Sequence, residues 1–455
     1  MMQLSEAAIA VDGKLVGANV AFSGVTIDSR NVSSGALFVA IKGDRFDGHD
    51  YLYEALDRGA VGAIVERVQE QADGGQIIVE DTTLALGRLG SAWRARHDIP
   101  VVAVTGSNGK TTVSALVAAV LNERGQCIAP KGSFNNHWGV PLTLLRLTPE
   151  DRYLVVEMGM NHPGELDYLS ALATPTVAVI NNVAPAHLGG LGSVDNIAQA
   201  KAEILNGLSP QGIAVLNADD HYCDMFEQRL TDQRVIRFAS EEGGRDAHVR
   251  FGQYQPTEQG GRFMLAIGEQ GLSIELPLFG QHNASNAAAA AAVGFGLGLG
   301  LHEIQSGLQN VSAVPGRLVI KPGLNGSQVI DDSYNANPHS IKAAIDVLAQ
   351  SSRRGVLVLG KMAELGENST KWHIEVGQYA KGQGIEQLFV LSEGDKTDKD
   401  AEGYLKGFGP GSNIYRDIGT LVTALTEQLD ETTLMVVKGS RSAGMERVVA
   451  RITDE

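Results

Sequence analysis

Only two cysteines, Cys127 and Cys223, occur in 455 residues. Neither belongs to a C-x-x-C pair or has a His or Asn partner beside it, which excludes a disulfide framework and leaves buried, inert thiols in a reducing compartment as the expectation. Long apolar runs are also missing. The nearest approach to a membrane span, residues 284–301, is built from Ala and Gly rather than Leu, Ile and Phe, so a buried helix is the better reading. The start, Met1-Met-Gln-Leu-Ser-Glu6, has neither a basic stretch nor an apolar core of the secretory kind, and a cytoplasmic protein is expected. Basic residues are outnumbered, 37 Lys and Arg against 53 Asp and Glu, a formal net charge of -16. A nucleic-acid protein would show a basic stripe, so neither nucleic acid nor membrane is an expected partner. An acidic enzyme that handles phosphorylated substrates must instead concentrate its few cations where the phosphates sit, and Lys110, Lys42 and Arg45 are candidates. No internal repeat or low-complexity segment is apparent.

What is present centres on Val101-Val-Ala-Val-Thr-Gly-Ser-Asn-Gly-Lys-Thr-Thr112. An apolar strand feeds a glycine turn, then a lysine and hydroxyl residues open a helix. Backbone N–H groups of such a turn converge on anionic oxygens, the positive end of the helix adds partial charge, and Lys110 supplies a full one. Thr111 is placed to hold a magnesium ion. The usual spacing G-x-x-x-x-G-K-[ST] would need glycine where Val104 stands, so this is a shorter variant, a phosphate cradle made by Gly106, Ser107, Asn108, Gly109, Lys110, Thr111 and Thr112. A turn that merely packs is the competing reading.

The length predicts about three domains. The whole reads as α/β in three parts: a small N-terminal α/β domain (1–82), a central P-loop parallel-sheet ATPase domain (83–313) and a C-terminal Rossmann-like domain (314–455). In the first, apolar runs at 37–41, 61–65 and 77–79 alternate with a helical stretch at 49–58, and a second helical stretch, 82–97, leads out of it. In the second, strands at 101–105, 153–157, 177–180 and 213–216 alternate with helices at 112–124, 163–172 and 195–208. That order means parallel βαβ units, whose strand ends and following loops build the site. Turns at 241–245 and 268–271 mark a β-rich excursion over 234–278. The third part repeats the alternation, with strands at 328–331, 355–359, 387–391 and 434–438 and helices at 338–348 and 370–381. Its turns lack G-x-G-x-x-G, which disfavours a dinucleotide oxidoreductase.

Chemistry gathers around the glycine turn. Glu157 ends an apolar strand before glycine, where its carboxylate can reach the sheet mouth and bind the magnesium that Thr111 binds; a solvated strand end is the alternative. His187 follows the next strand, where a structural, hydrogen-bonding histidine is the default. Lys201 lies on a helix whose lysines are ordinarily solvated, and spacing alone does not select it.

Taken together, these motifs resemble the ATP-dependent Mur ligases of peptidoglycan precursor synthesis, and the resemblance runs nearly end to end. Thr105-Gly-Ser-Asn-Gly-Lys-Thr-Thr112 resembles the family's ATP loop, Glu157 its first magnesium ligand and His187 its second-metal histidine. Lys201 takes the place of the lysine that members carbamylate. His282-Asn-Ala-Ser-Asn286 is similar to the motif whose asparagine meets adenine, which implies that role for Asn286; Pro315-Gly-Arg317 resembles the hinge whose arginine approaches the phosphates. In Asp331-Asp-Ser-Tyr-Asn-Ala-Asn-Pro338 the resemblance puts Asp332 on the nucleotide side and Tyr334, Asn335 and Asn337 on the substrate side, and the form is that of the branch adding D-alanyl-D-alanine. Lys361-Met-Ala-Glu-Leu-Gly366 with His373, and Lys438-Gly-Ser-Arg441, resemble further C-terminal signatures. Ser29, Arg30, Lys42, Arg45, Phe46 and Asp47 fall in stretches similar to the loops that hold the uridine nucleotide and peptide, and Asn135 and Asn136 in one that faces the muramyl peptide.

The resemblance implies a monomeric ligase that uses ATP and Mg²⁺ to join D-alanyl-D-alanine to UDP-N-acetylmuramoyl-tripeptide through an acyl phosphate, with Lys110, His187, Lys201 and Arg317 catalytic. Two departures stand out: Leu188 is followed by Gly189 where members continue with Glu, and Asn136 by His137-Trp138 where an acid is commoner. The competing readings are a sister ligase adding a single amino acid, folylpolyglutamate synthetase, and a switch that uses ATP only to change shape.

Overall fold

The computed structural model describes residues 1–453 other than Asp44, Gln71, Ala186, His187, Gly244, Arg245, Asp395 and Lys396. Three mostly parallel sheets follow one another along the chain, so the α/β, three-part fold class holds. The first has five strands in the order Lys14–Val16, Gly75–Ile78, Gly62–Val65, Ala36–Val39, Gly24–Thr26, with only the first pair antiparallel. Helix Thr82–Arg94 leads out of it, its N-terminus capped by Asp81, whose carboxylate accepts from the Leu84 N–H.

The central sheet has ten strands. Val101–Thr105 lies between Tyr153–Glu157 and Val177–Ile180, parallel to both, and the sheet continues through Ile213–Asn217 and Arg234–Ser240 to Val249–Phe251. An antiparallel group, Gln255–Thr257, Gly260–Ile267 and Gln270–Leu276, accounts for the β-rich excursion, and the short Cys127–Ile128, parallel to Tyr153–Glu157, ends the sheet at its other edge. Alternation of side chains explains why a strand such as Val101–Thr105 is apolar throughout: Val101 and Ala103 join one core, Val102 and Val104 the other. The Ala-rich segment forms the helix Gln281–Gly296, with Ala287 through Ala292 fully buried. Small side chains let it lie close against Lys110–Asn122, the helix after the glycine turn.

The third sheet runs Val319–Pro322, Gln328–Asp332, Thr433–Lys438, Arg354–Leu359, Gln387–Leu391, Ser412–Tyr415, antiparallel only at its first pair. Its strand ends at Asp332, Leu359 and Lys438 face the end of the central sheet that carries the glycine turn, which brings two loop-bearing edges together. No helix among the described residues is long and apolar enough to cross a membrane.

Candidate active site

Backbone conformation makes the phosphate loop possible. Gly106 and Gly109 have φ of 158° and 79°. At Gly109 there is also no room for a side chain: a Cβ would stand 2.5 Å from Asn286 Oδ1 and 2.7 Å from Asn181 Nδ2. Those two amides belong to an asparagine chain that fixes the loop from behind. Asn181 Nδ2 donates to Asn108 O (3.1 Å) and Asn286 Oδ1 (2.9 Å), and Asn286 Nδ2 donates to Asn283 Oδ1 (2.8 Å). Asn182 bonds both the N–H and the carbonyl of Asn108, and the Ser107 hydroxyl exchanges bonds with Ala184. Asn286 is thus buried with both ends of its amide engaged, behind the loop. Asn181, Asn182 and Asn283 hold the loop, a part that sequence reasoning did not assign to them. The signal for Asn181 and Asn182 was an Asn pair directly after an apolar strand, and that for Asn283 its place in the His282–Asn286 motif.

Two adjoining pockets open on this loop. One, of about 460 Å³, is lined by Ser107 to Thr111, Arg317, Asn335 to Asn337, Ser340, Ala363 to Leu365 and Ser440 to Ser442. The other, of about 280 Å³, is lined by Lys110, Ser133, Asn135 to His137, Glu157, Gly159 to Asn161, Glu165, Tyr168, Leu169, Arg317, Tyr334, Asn335 and Arg441. Lys110, Arg317, Asn335 and Arg441 belong to both, so a group held at Lys110 has access from either side.

Lys110 Nζ folds back to Gly106 O at 2.8 Å. Burial pushes its ammonium down; Glu157 and Glu364 oppose that, and Arg317 adds to it. Arg317 Nη2 lies 3.4 Å from the Thr111 hydroxyl, itself 3.4 Å from the Ser133 hydroxyl, and the guanidinium stacks 4.4 Å from the centre of the Tyr334 ring. Thr112 stands in the first turn of the same helix. Glu157 is 2% exposed; Oε1 accepts from Asn135 Nδ2 at 2.7 Å, while buried Oε2 has no hydrogen-bond partner among the described residues. Asn136 Oδ1 accepts the Trp138 and Gly139 N–H groups just before the helix Gly139–Leu144.

From the C-terminal sheet, Asn337 caps the helix Pro338–Ala349 and its Nδ2 reaches across to Asn108 Oδ1 at 2.7 Å. Asp332 pairs with Lys438 Nζ at 2.5 Å, and Nζ also donates to Asn335 O at 2.8 Å. Burial pushes the Asp332 carboxyl up and the Lys438 ammonium down, and each opposes the other's shift.

Lys201 is 2% exposed and outside both pocket linings, with no hydrogen-bond or ion-pair partner among the described residues. Burial, reinforced by the charge of Lys110, drives its pKa well down. His187 lies outside the described residues. Among the described residues no three His, Cys, Asp or Glu side chains converge to hold a metal.

The N-terminal residues line neither pocket. Ser29 donates to Glu54, Arg30 pairs with Asp28, and Asp47 accepts from both the backbone and ring N–H of His49. Lys42, Arg45 and Phe46 are exposed, Phe46 at 69%. Their loop lies near Trp138, the chain neighbour of pocket-lining His137: its Cη2 would be 3.8 Å from a Cβ at Gly43.

Family comparisons agree with this geometry. A Mur ligase middle-domain model matches residues 104–294, a Mur ligase glutamate ligase domain model 316–441, and a Mur ligase family catalytic domain model 21–94. The UDP-N-acetylmuramoyl-tripeptide--D-alanyl-D-alanine ligase of Escherichia coli K12 is 41% identical over 99% of this chain and 98% of its own length. The chain belongs to the Mur ligase family. Among solved structures, MurF from Acinetobacter baumannii superposes with a TM-score of 0.89 at 32% identity over 99% of this chain and 98% of that one. MurF from Thermotoga maritima in complex with ADP gives 0.82 at 27% identity over 94% and 96%. In this Mur ligase, then, the family's ATP loop and the paired pockets coincide.

Proposed function

We propose that this Mur ligase joins D-alanyl-D-alanine to UDP-N-acetylmuramoyl-tripeptide with ATP, giving UDP-N-acetylmuramoyl-pentapeptide for peptidoglycan synthesis. The observation that carries the reading is the meeting of two pockets at Lys110 and Arg317, one on the phosphate loop and one on the side of Asn135 and Tyr334. The near full-length likeness to the E. coli ligase supports the choice of substrates. A monomer follows from the family resemblance, and the supply of ATP and nucleotide-linked precursor supports a cytoplasmic location.

The chemical problem is that a carboxylate is a poor electrophile, with delocalised charge and no acceptable leaving group. The γ-phosphoryl group passes to the terminal carboxylate of the tripeptide, whose oxygen attacks phosphorus as ADP leaves. The dipeptide amine then attacks the acyl carbon and inorganic phosphate departs. Lys110 and Arg317 lie where charge develops on the phosphoryl oxygens, and the loop N–H groups hold the remaining phosphates. Asn286 serves the nucleotide indirectly, by holding the loop. Asp332, through Lys438, holds the backbone at Asn335, so that Tyr334, Asn335 and Asn337 are presented to the substrates.

The donors suit Mg²⁺. Glu157 has a buried oxygen without a partner and Thr111 a hydroxyl at the loop, so these two would hold one ion; Lys201 as its carbamate, with His187, would hold a second. When bound, Mg²⁺ neutralises charge on the phosphate oxygens. A buried lysine driven toward its neutral form is the state that adds CO₂, which supports the carbamate. Ser29, Arg30, Lys42, Arg45, Phe46 and Asp47 hold the uridine nucleotide end, beyond Trp138. Mass spectrometry after incubation with ATP, Mg²⁺, the meso-diaminopimelate or lysine tripeptide nucleotide, and D-alanyl-D-alanine is expected to show the pentapeptide nucleotide. Lys110→Ala is expected to lower turnover by about three orders of magnitude or more. ATP hydrolysis with no peptide product, or an unimpaired variant, contradicts the reading.

A further inference from the structure

The loop after the strand Arg354–Leu359 lines the phosphate-side pocket with Ala363, Glu364 and Leu365. Glu364 has a left-handed backbone, φ 63°, although it is not glycine. Such a conformation persists only where the surroundings impose it, and it concentrates at functional sites. Two clamps impose it here. On one side the Met362 N–H donates to Nε2 of His373 at 3.1 Å, while Nδ1 of that fully buried ring lies 2.7 Å from Ser369 O. The ring is therefore neutral, with its proton on Nδ1. On the other side the Gly189 N–H, from the central domain, donates to the Glu364 carbonyl at 3.2 Å. Lys361, in the same loop, pairs away from the pocket with Asp400 at 3.3 Å.

The acceptor dipeptide arrives as an ammonium ion, and the cations at the pocket junction, Lys110, Arg317 and Arg441, repel it. Three carboxylates stand in the two linings. Glu157 and Glu165 belong to the peptide-side pocket. Glu364 is the carboxylate of the phosphate-side lining, near enough to Lys110 for its charge to counter the burial of that ammonium. We infer that Glu364 binds the ammonium group of the incoming D-alanyl-D-alanine and orients it beside the phosphate loop, an inference that rests on the ligase reading above.

The test is steady-state kinetics of the full chain with each of the three substrates varied. Glu364→Gln is expected to raise KM for the dipeptide about tenfold or more, the loss of a charge-assisted bond, with KM for ATP and for the tripeptide nucleotide within about twofold. Glu364→Gly relieves the left-handed strain, so it is expected to unfold no lower than wild type while showing the same dipeptide defect; a purely structural role predicts normal kinetics for it. Propanoyl-D-alanine, the dipeptide without its amine, is expected to inhibit wild type and Glu364→Gln equally: loss of the amine weakens binding to wild type and costs Glu364→Gln nothing. An unchanged dipeptide KM in Glu364→Gln overturns the inference, as does a shift confined to the Mg²⁺ or ATP requirement. Failure of the ligase reading is distinguishable, because wild type itself would then yield no peptide product, and both statements would fall.

Discussion

Lys438 and Asp332 are 2% and 5% exposed and 2.5 Å apart, at the root of the loop that presents Tyr334 and Asn335. A buried charge that loses its partner is strongly destabilising, so Lys438→Met is expected to cost about 3–5 kcal/mol in denaturant unfolding. An unchanged midpoint would mean that the pair is not ionised. Histidines set the acid limit. Burial, with the charges of His339 and Lys438, pushes His282 down to about 4, and burial also lowers His373. Below the usual histidine range the unfolded chain then binds more protons than the folded one. Stability is therefore lost as pH falls from about 6.5 towards 4, by at most about 3 kcal/mol for His282. Chemical denaturation at pH 7 and pH 5 measures it, and greater stability at pH 5 contradicts it. Lys110, Thr111 and Glu157 were legible from strand-end position and chemistry alone. Lys201 was not, because a helical lysine is ordinarily solvated and only burial by the tertiary fold makes it unusual.

Glycines that look alike in sequence act oppositely in the helices. Ser369–Gly382 and Lys399–Phe408 pack so closely that a Cβ at Gly407 would lie 2.0 Å from Ile374 O, whereas nothing lies within 4 Å of one at Gly382. Gly407→Ala is thus expected to destabilise by about 1–3 kcal/mol, since backbone cannot yield cheaply. Gly382→Ala is expected to stabilise by about 0.5–1 kcal/mol, through lower chain entropy and better helix propensity. Thermal unfolding of the two variants compares the signs, and matching shifts would contradict the packing account. Glycine also explains why the helix Lys399–Phe408 is absent from the sequence reading. Gly403 and Gly407 weaken its helical signal, and the reason for them lies in a partner helix. By contrast, Val101–Thr105, Gln387–Leu391 and the Ala-rich helix were legible, because burial on both faces leaves a continuous apolar run.

At the scale of the whole molecule, hydrogen bonds that cross between the central and C-terminal parts among the described residues include Asn337 to Asn108, Arg317 to Thr111 and Gly189 to Glu364. Each sits on the phosphate loop or the pocket around it, so domain approach and site assembly are one event. An acyl phosphate hydrolyses in water, which gives such closure a chemical purpose. Alternation of strands and helices made the three-part α/β plan legible, while the facing of two sheet edges depends on contacts distant in sequence. The account turns on the γ-phosphoryl group passing to the tripeptide carboxylate between the two pockets. Its direct measurement is a single turnover with ¹⁸O in that carboxylate, followed by mass analysis of the released phosphate. The account predicts one labelled oxygen in inorganic phosphate for each amide formed; phosphate free of label would contradict it.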